Sequence, residues 1–197
     1  MKTSNNSLKL ALIGPQRVGK TSLLTRFHLG TFELTTTATV GASFIVHTFV
    51  IDGKEVSFQI WDTAGQERYR SLGPIYYRDS ACAICVFDLT SPQSFEDMKA
   101  YISQFQTHCS DYIHIGIVGN KFDLYQKSGG IDLDIVQNYV KSEGFTFYKT
   151  SACTGENVKS MFQDIATIII RHNSESRSPQ SLLNINGNND QSQGICC

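Results

Sequence analysis

The sequence has too little net charge, too few long apolar runs and the wrong cysteine spacing for several classes of protein. Its 17 Lys and Arg residues nearly balance 18 Asp and Glu residues, and the basic residues do not cluster, so we expect no nucleic-acid partner. No apolar run is long enough for a signal peptide or a membrane-crossing helix. The six cysteines lack the spacing of a secreted disulfide framework, so we expect a reducing, cytosolic compartment.

Metal and nucleophile motifs are also missing. The five histidines are scattered without ligand spacing, and no Ser-His-Asp or paired-carboxylate arrangement can be identified. Cys82 and Cys85 form a C-x-x-C, but they lie in an apolar strand, where an offset of three residues points them to opposite faces. We therefore predict two buried core thiols and neither a zinc site nor a redox pair.

Apolar stretches of strand length alternate with segments of helical period along most of the chain. This alternation predicts an α/β fold with a mostly parallel sheet covered by helices. Asp52-Gly53 predicts a hairpin turn between the second and third strands. Asp132 and Gly144 predict the start and end of one helix. The predicted helices are "KTSLLTRFHL", Ser94–Gln106, Leu133–Glu143 and Val158–Arg171.

The composition divides the chain into three parts. Residues 1–7 form a short N-terminal extension, and residues 8–172 form one domain. Residues 173–197 are rich in Asn, Ser and Gln and have little to bury, so we predict a disordered tail.

The stretch "GPQRVGKT", Gly14 to Thr21, follows an apolar strand and opens a helix. This is the Walker A pattern in the structural context that it needs. Backbone N–H groups of such a loop point at phosphate oxygens, and the helix dipole favours negative charge there. Lys20 is expected to reach the outer phosphates, and the Thr21 hydroxyl is expected to bind Mg²⁺.

Two later stretches indicate which base is bound. "GNKFD" places Asn120, Lys121 and Asp123 after a buried strand, at the edge where open α/β sheets bind ligands. The Asp123 carboxylate can accept both N1–H and the exocyclic amino group of guanine, whereas adenine lacks that pair of donors. "TSAC", Thr150 to Cys153, can supply a backbone N–H, that of Ala152, for the guanine oxygen. The sequence therefore predicts a guanine-nucleotide site.

These motifs, with "WDTAGQE", resemble those of Ras-superfamily small GTPases. The stretches "VGASF", "SFQIW", "RYRSL" and "YYRDSA" and the terminal "CC" are similar to the Rab family within them. The resemblance covers about Lys9 to Arg171 and the last two residues. It implies a P-loop NTPase fold with a six-stranded, mostly parallel sheet flanked by five helices. It also implies a switch that cycles between GTP and GDP in vesicle traffic, and "LGPIYYRDSA" points to the early-endosomal branch.

The motifs and the resemblance together imply a set of site residues. The resemblance implies that Gln66 orients the attacking water and that Phe32 packs on guanine. It also implies that Thr39 and Gly65 contact the terminal phosphate. Mg²⁺ would be held by Thr21, Thr39 and, through water, Asp62. The expected nucleotide-binding residues are Gly14, Gln16, Arg17, Val18, Gly19, Lys20, Thr21, Ser22, Phe32, Thr39, Gly65, Asn120, Lys121, Asp123, Ser151, Ala152 and Cys153.

Two residues of the phosphate loop depart from the family's usual small side chains. Gln16 can crowd the attacking water or exclude an arginine supplied in trans, so slow hydrolysis is the first hypothesis. An alternative function follows: a docking module that stays loaded with GTP. Arg17 is either a cis arginine that contributes charge or a solvent-facing cation. A third reading, an ATP-using P-loop kinase, is disfavoured by "NKFD".

The resemblance also implies partners. Phe44, Trp61 and Tyr76 align with the aromatic residues that Rab effectors contact in the GTP state. The other expected partners are an exchange factor, a GTPase-activating protein, a Rab escort protein and a GDP-dissociation inhibitor. Cys196 and Cys197 resemble a double geranylgeranylation signal, and two lipid chains give a stable anchor. The expected location is the cytoplasmic face of endomembranes, and the cytosol.

Overall fold

In the part of the chain that the structure describes, six strands form a single sheet. The computed structural model describes residues 7–34, 37–65, 73–108 and 113–175. The strands are β1 (Leu8–Ile13), β2 (Ala42–Ile51), β3 (Lys54–Thr63), β4 (Ser80–Asp88), β5 (His114–Asn120) and β6 (Thr146–Lys149). Their order is β2-β3-β1-β4-β5-β6. Only the β2–β3 pair is antiparallel, and every other pair in this sheet is parallel. The predicted α/β fold is confirmed.

The described part of the chain contains six helices, of which five lie between strands and one follows the last strand. They are α1 (Lys20–Leu29), α2 (Gly73–Tyr77), α3 (Pro92–Thr107), α4 (Phe122–Ser128), α5 (Leu133–Glu143) and α6 (Val158–Glu175). The resemblance implied five. Neither α2, with 5 residues, nor α4, with 7, was visible in the sequence pattern, because a helix of one or two turns shows no clear period.

Local sequence signals set several element ends. The Asp132 side chain caps α5 by accepting the Asp134 N–H at 2.9 Å. Gly144 ends the helix in a left-handed conformation, as predicted. Asp52 and Gly53 both have positive φ, 49° and 74°, which is the geometry of the predicted hairpin turn. Helix α6 continues to Glu175, so residues 173–175 of the predicted tail are helical. The remaining tail residues, 176–197, and residues 1–6 lie outside the described residues.

The sheet has a hydrophobic cluster on each face, which explains why its central strands are apolar throughout. One cluster joins the sheet to α1 and α6. The other joins it to α3 and α5. Alternate residues of β4 serve the two clusters, so that Cys82 belongs to the first and Cys85 to the second, both fully buried. The prediction of two core thiols on opposite faces is therefore confirmed, and burial raises the pKa of both.

The topology places the candidate site at one edge of the sheet. Strand β1 is central and pairs in parallel with β3 on one side and β4 on the other. The chain leaves the carboxyl ends of β1, β4 and β5 at the same edge, which is where open α/β sheets bind ligands. Among the described helices, none combines the length and apolarity needed to cross a bilayer.

Candidate nucleotide site

The phosphate loop follows β1 and needs glycine at two positions for steric reasons. Gly14 has φ 135°, and a Cβ there would collide with the carbonyl oxygen of Val86. Gly19 has φ 94°, and a Cβ there would collide with the Asn120 side-chain amide. Both glycines therefore let the loop pass close to the neighbouring strands β4 and β5 while taking a backbone conformation that other residues rarely adopt.

Lys20 is the first residue of α1, and its amine is buried within the loop. The residue is only 6% exposed, and Nζ donates to the carbonyl oxygens of Gly14 and Pro15, each at 2.8 Å. Burial lowers the pKa of Lys20 to about 8, and the nearby Asp62 carboxylate opposes this shift. The loop thus places the Lys20 amine where a Walker A lysine contacts phosphate.

Three oxygen-bearing side chains converge beside Lys20. The Thr21 hydroxyl donates to Asp62 Oδ2 at 2.6 Å and lies 2.8 Å from the Thr39 hydroxyl. Burial raises the pKa of Asp62, and the Thr21 hydrogen bond and Lys20 oppose that change. Asp62 Oδ1 is buried and has no hydrogen-bond partner among the described residues. Hard oxygen donors with one unpartnered carboxylate atom fit a Mg²⁺ ion, which would satisfy that atom.

The base end of the site is organised by Asn120 at the end of β5. Asn120 is 1% exposed. Its Nδ2 donates to the Val18 carbonyl at 2.9 Å. Its Oδ1 accepts the Ala152 N–H at 3.1 Å and the Thr150 hydroxyl at 3.4 Å. One side chain therefore links the phosphate loop to the segment that follows β6.

The other two residues of the "NKFD" stretch also have fixed partners. Lys121 has a left-handed backbone with φ 63° and forms an ion pair with Asp88 Oδ2 at 2.7 Å. The Asp123 Oδ1 atom accepts the Ser151 hydroxyl at 2.6 Å. Sequence reasoning missed Asp88, although its place at the carboxyl end of β4 was a usable signal.

A cleft of about 500 Å³ joins the phosphate loop to these base-end residues. Gly14, Val18 and Ser151 are not among its lining residues, although each contacts residues that line the cleft or that lie beside it. The predicted residues that line it are Gln16, Arg17, Gly19, Lys20, Thr21, Ser22, Phe32, Thr39, Gly65, Asn120, Lys121, Asp123, Ala152 and Cys153. Lining residues that were not predicted are Glu33, Leu34, Thr37, Ala38 and Leu124.

Gln16 and Arg17 are both exposed and both line the cleft. Arg17 has a left-handed backbone with φ 64°. The expected catalytic residue Gln66 lies outside the described residues. The predicted effects of Gln16 and Arg17 on hydrolysis therefore stay predictions.

Gly65 lies directly against the phosphate loop. A Cβ at Gly65 would collide with the Lys20 amine and would lie 2.6 Å from the backbone of Pro15. The Gly65 carbonyl accepts the Tyr101 hydroxyl of α3 at 3.0 Å, a contact that no sequence pattern predicts. The preceding residue, Ala64, donates its N–H to the Gly41 carbonyl at 2.9 Å. These contacts hold the segment after β3 close to the segment before β2.

The three predicted effector residues, Phe44 of β2, Trp61 of β3 and Tyr76 of α2, lie side by side. Phe44 stacks on Trp61 with ring centroids 4.8 Å apart, and Trp61 lies 6.2 Å from the Tyr76 ring. Phe44 is 50% exposed. The Lys9 amine lies 4.6 Å from the centroid of the Trp61 ring. The group is therefore a half-exposed aromatic surface that adjoins Asp62.

A buried lysine and a glycine loop between a central strand and a helix define the class of P-loop nucleotide-binding proteins. Residues 9–171 match the family model described as Ras family. The chain is 42% identical over 159 residues to GTP-binding protein ypt5 of Schizosaccharomyces pombe, covering 80% of this chain and 75% of that protein. It is 38% identical over 169 residues to ras-related protein Rab-5B of Dictyostelium discoideum, covering 85% and 78%.

The chain belongs to the Ras family of small GTPases, and its relatives identify it as a member of the Rab type. The resemblance seen in the motifs is thereby confirmed, as is the prediction of a GTPase that uses GTP and GDP. The relatives give no support to the alternative of a hydrolysis-impaired docking module.

Proposed function

We propose that this GTPase reports the presence of the terminal phosphate through two segments, one around Thr39 and one around Gly65. The observation that carries the proposal is that both segments already touch the phosphate-loop helix. Thr39 meets Thr21, and Gly65 lies against Lys20 and Pro15. A terminal phosphate would add contacts to both segments at once, and its loss on hydrolysis would remove them.

Recognition of the base is assigned to Asp123 and to the Ala152 N–H. Asp123 lines the cleft, and one of its carboxylate oxygens is already oriented by Ser151. The Ala152 N–H donates to Asn120 Oδ1 at 3.1 Å. A three-centre hydrogen bond can share one N–H between two acceptors, and a guanine oxygen would be the second acceptor here. Phe32 lines the cleft next to these groups and supplies an apolar face for the base.

Mg²⁺ is assigned to Thr21, Thr39 and, through water, Asp62. The unpartnered buried Asp62 Oδ1 atom supports this assignment. When bound, the ion would neutralise charge on the phosphate oxygens and keep the leaving diphosphate in place. The chain's own contribution is to hold the two hydroxyls and the carboxylate together before any ligand arrives.

Hydrolysis is assigned to Gln66, acting on water, with Gln16 and Arg17 as neighbours of that reaction. Family members without help turn over at about 10⁻⁴ s⁻¹, and an activating protein raises the rate about 10⁵-fold. Comparing single-turnover hydrolysis in the wild type, Gln16→Gly and Arg17→Ala tests both side chains. Rates that stay unchanged in the two variants would remove both from the mechanism.

We assign the cellular role to endosomal membrane traffic, because "LGPIYYRDSA" resembles the early-endosomal branch of the Rab family and one relative is a Rab-type protein. The surface of Phe44, Trp61 and Tyr76 is the proposed effector contact. Anchoring through geranylgeranyl groups on Cys196 and Cys197, with an escort protein and a GDP-dissociation inhibitor, rests on the sequence alone. Mass spectrometry of the full chain purified from a eukaryotic host tests the lipid assignment, and two unmodified thiols would contradict it.

The nucleotide proposal is tested by equilibrium binding of fluorescent GDP with Mg²⁺ present. Unlabelled GDP and GTP should displace the probe, whereas ADP and ATP should not, because only guanine satisfies Asp123. Asp123→Ala should lower the affinity for GDP. Asp134→Ala is the matched control, because Asp134 lies on the exposed surface of α5, and it should leave that affinity unchanged. Equal displacement by ADP would refute the assignment of the base.

A further inference from the structure

Arg26 is a half-buried residue in the last turn of α1, and its guanidinium donates hydrogen bonds to backbone carbonyls. Its Nε donates to the Ala152 carbonyl at 2.8 Å. Its Nη1 donates to the Gly30 carbonyl at 2.6 Å, and its Nη2 donates to the Cys153 carbonyl at 2.6 Å. Each nitrogen of the guanidinium therefore serves a different backbone carbonyl, and two of the three carbonyls lie more than 120 positions away in the chain.

Only one of these contacts is explained by the end of the helix. A basic side chain in the last turn of a helix commonly donates to carbonyls that the helix leaves unpaired, and the bond to Gly30 is of this kind. The bonds to Ala152 and Cys153 serve no helix end, since these residues precede α6 by several positions. They tie α1 to the segment that the guanine base is proposed to meet.

The same guanidinium also lies near Phe32, an aromatic residue that lines the cleft. Its central carbon lies 5.9 Å from the centroid of the Phe32 ring, within the range of a cation–π contact. Phe32, Ala152 and Cys153 all line the cleft. Arg26 therefore contacts both the Phe32 ring and the backbone of Ala152 and Cys153 in the proposed base pocket.

The peptide groups around Ala152 are held from two directions. The Ala152 N–H donates to Asn120 Oδ1, while its carbonyl accepts from Arg26. Asn120 in turn donates to the Val18 carbonyl of the phosphate loop. A continuous path of hydrogen bonds thus leads from α1, through the base segment, back to the loop that precedes α1.

We propose that Arg26 is a positioning residue that presets the segment of Ala152 and Cys153 for guanine, and so slows the release of GDP and favours the oxygen at C6 of the base. The proposal rests on the proposed function, in which the Ala152 N–H meets that oxygen. Arginine suits the task because its planar guanidinium holds its N–H donors at fixed angles and can reach three separate carbonyls. A lysine ammonium also has three donors, but they all lie on one nitrogen atom and rotate freely.

The test compares Arg26→Gln and Arg26→Lys with the wild type in the full-length, Mg²⁺-bound protein. The first measurement is the dissociation rate of fluorescent GDP. The second is the ratio of affinities for GDP and for 6-thioguanosine diphosphate, which keeps the N1–H and the amino group of guanine but replaces the oxygen at C6 with a weakly accepting sulfur. Arg171→Gln is the matched control, because Arg171 of α6 is exposed and forms a surface ion pair with the exposed Asp52.

Arg26→Gln should release GDP about 10-fold faster and lower the affinity ratio by a similar factor, with Arg26→Lys intermediate. Single-turnover hydrolysis of bound GTP should stay within about twofold of the wild type, since Arg26 contacts the base end and not the phosphates. If Arg26→Gln does not fold, Arg26→Lys decides with the same two measurements.

Release of GDP within about twofold of the wild type in both variants would overturn the inference. So would an equal loss of affinity for the two nucleotides, which would mark a general weakening of the fold. A wild-type protein that binds neither nucleotide would instead refute the proposed function, so the two failures are distinguishable.

Discussion

Asn120→Ala is the substitution whose consequences follow most directly from the contacts at the base end. The Asn120 side chain is buried and partners the Val18 carbonyl and the Ala152 N–H. Removing it leaves both backbone groups without those bonds in a region that excludes water. It also disconnects the phosphate loop from the segment after β6.

The magnitude follows from the cost of an unpaired buried polar group. Each of the two groups costs about 1–3 kcal/mol when its partner is removed, so the total is about 2–6 kcal/mol. We expect roughly half of that cost to lower the stability of the fold and half to lower the affinity for the nucleotide. A loss of about 1–3 kcal/mol in binding corresponds to GDP release that is about 5- to 160-fold faster.

The assay is the release of fluorescent GDP, paired with urea unfolding of the same preparations. Asn138→Ala is the matched control, because Asn138 is an exposed residue of α5, and it should change stability by less than about 0.5 kcal/mol. Refutation would be an Asn120→Ala protein whose release rate and unfolding midpoint both match those of Asn138→Ala. That result would mean that the hydrogen bonds of Asn120 hold neither the loop nor the nucleotide.

Three further predictions follow from the site and the core. Gly65→Ala should abolish the difference in Trp61 fluorescence between bound GDP and a non-hydrolysable GTP analogue, because the new Cβ would lie 2.6 Å from the Pro15 backbone, which cannot move aside as a side chain can. A preserved difference would contradict this. Chelation of Mg²⁺ by EDTA should speed GDP release in the wild type and have little effect in Asp62→Ala, and an equal response would exclude Asp62 from the metal site. Burial, with His172 nearby, lowers the pKa of His114 below 6.5, so the unfolded state binds more protons below about pH 6.5 and stability should fall as pH decreases from there. His114→Gln should flatten that part of the urea-midpoint profile between about pH 7 and 5, and an unchanged slope would contradict the assignment.

Local signals in the sequence were sufficient where one or two residues decide the structure. The bounds of α5 agree with the prediction because Asp132 and Gly144 act within one turn of the helix. The hairpin turn agrees because Asp52 and Gly53 accept positive φ. The phosphate loop and the "NKFD" stretch were found because strand ends and glycine spacing are visible in a single sequence.

Contacts between distant parts of the chain could not be predicted in this way. Helix α4 begins after Lys121, a residue type that does not ordinarily take the left-handed conformation found there. The hydrogen bonds from Arg26 to Ala152 and Cys153 join segments that lie more than 120 positions apart in the sequence. Neither feature shows a helical period or a capping residue in the sequence, because each depends on how the completed sheet brings its loops together.

The central claim is that the terminal phosphate of GTP decides the position of the segments around Thr39 and Gly65. The emission of Trp61, the single tryptophan, tests it most directly, because this residue adjoins Asp62 and stacks on Phe44. Exchange of bound GDP for a non-hydrolysable GTP analogue, with Mg²⁺ present, should change the emission. Identical spectra for the two bound states, with occupancy of both verified by chromatography of the released nucleotide, would contradict the account.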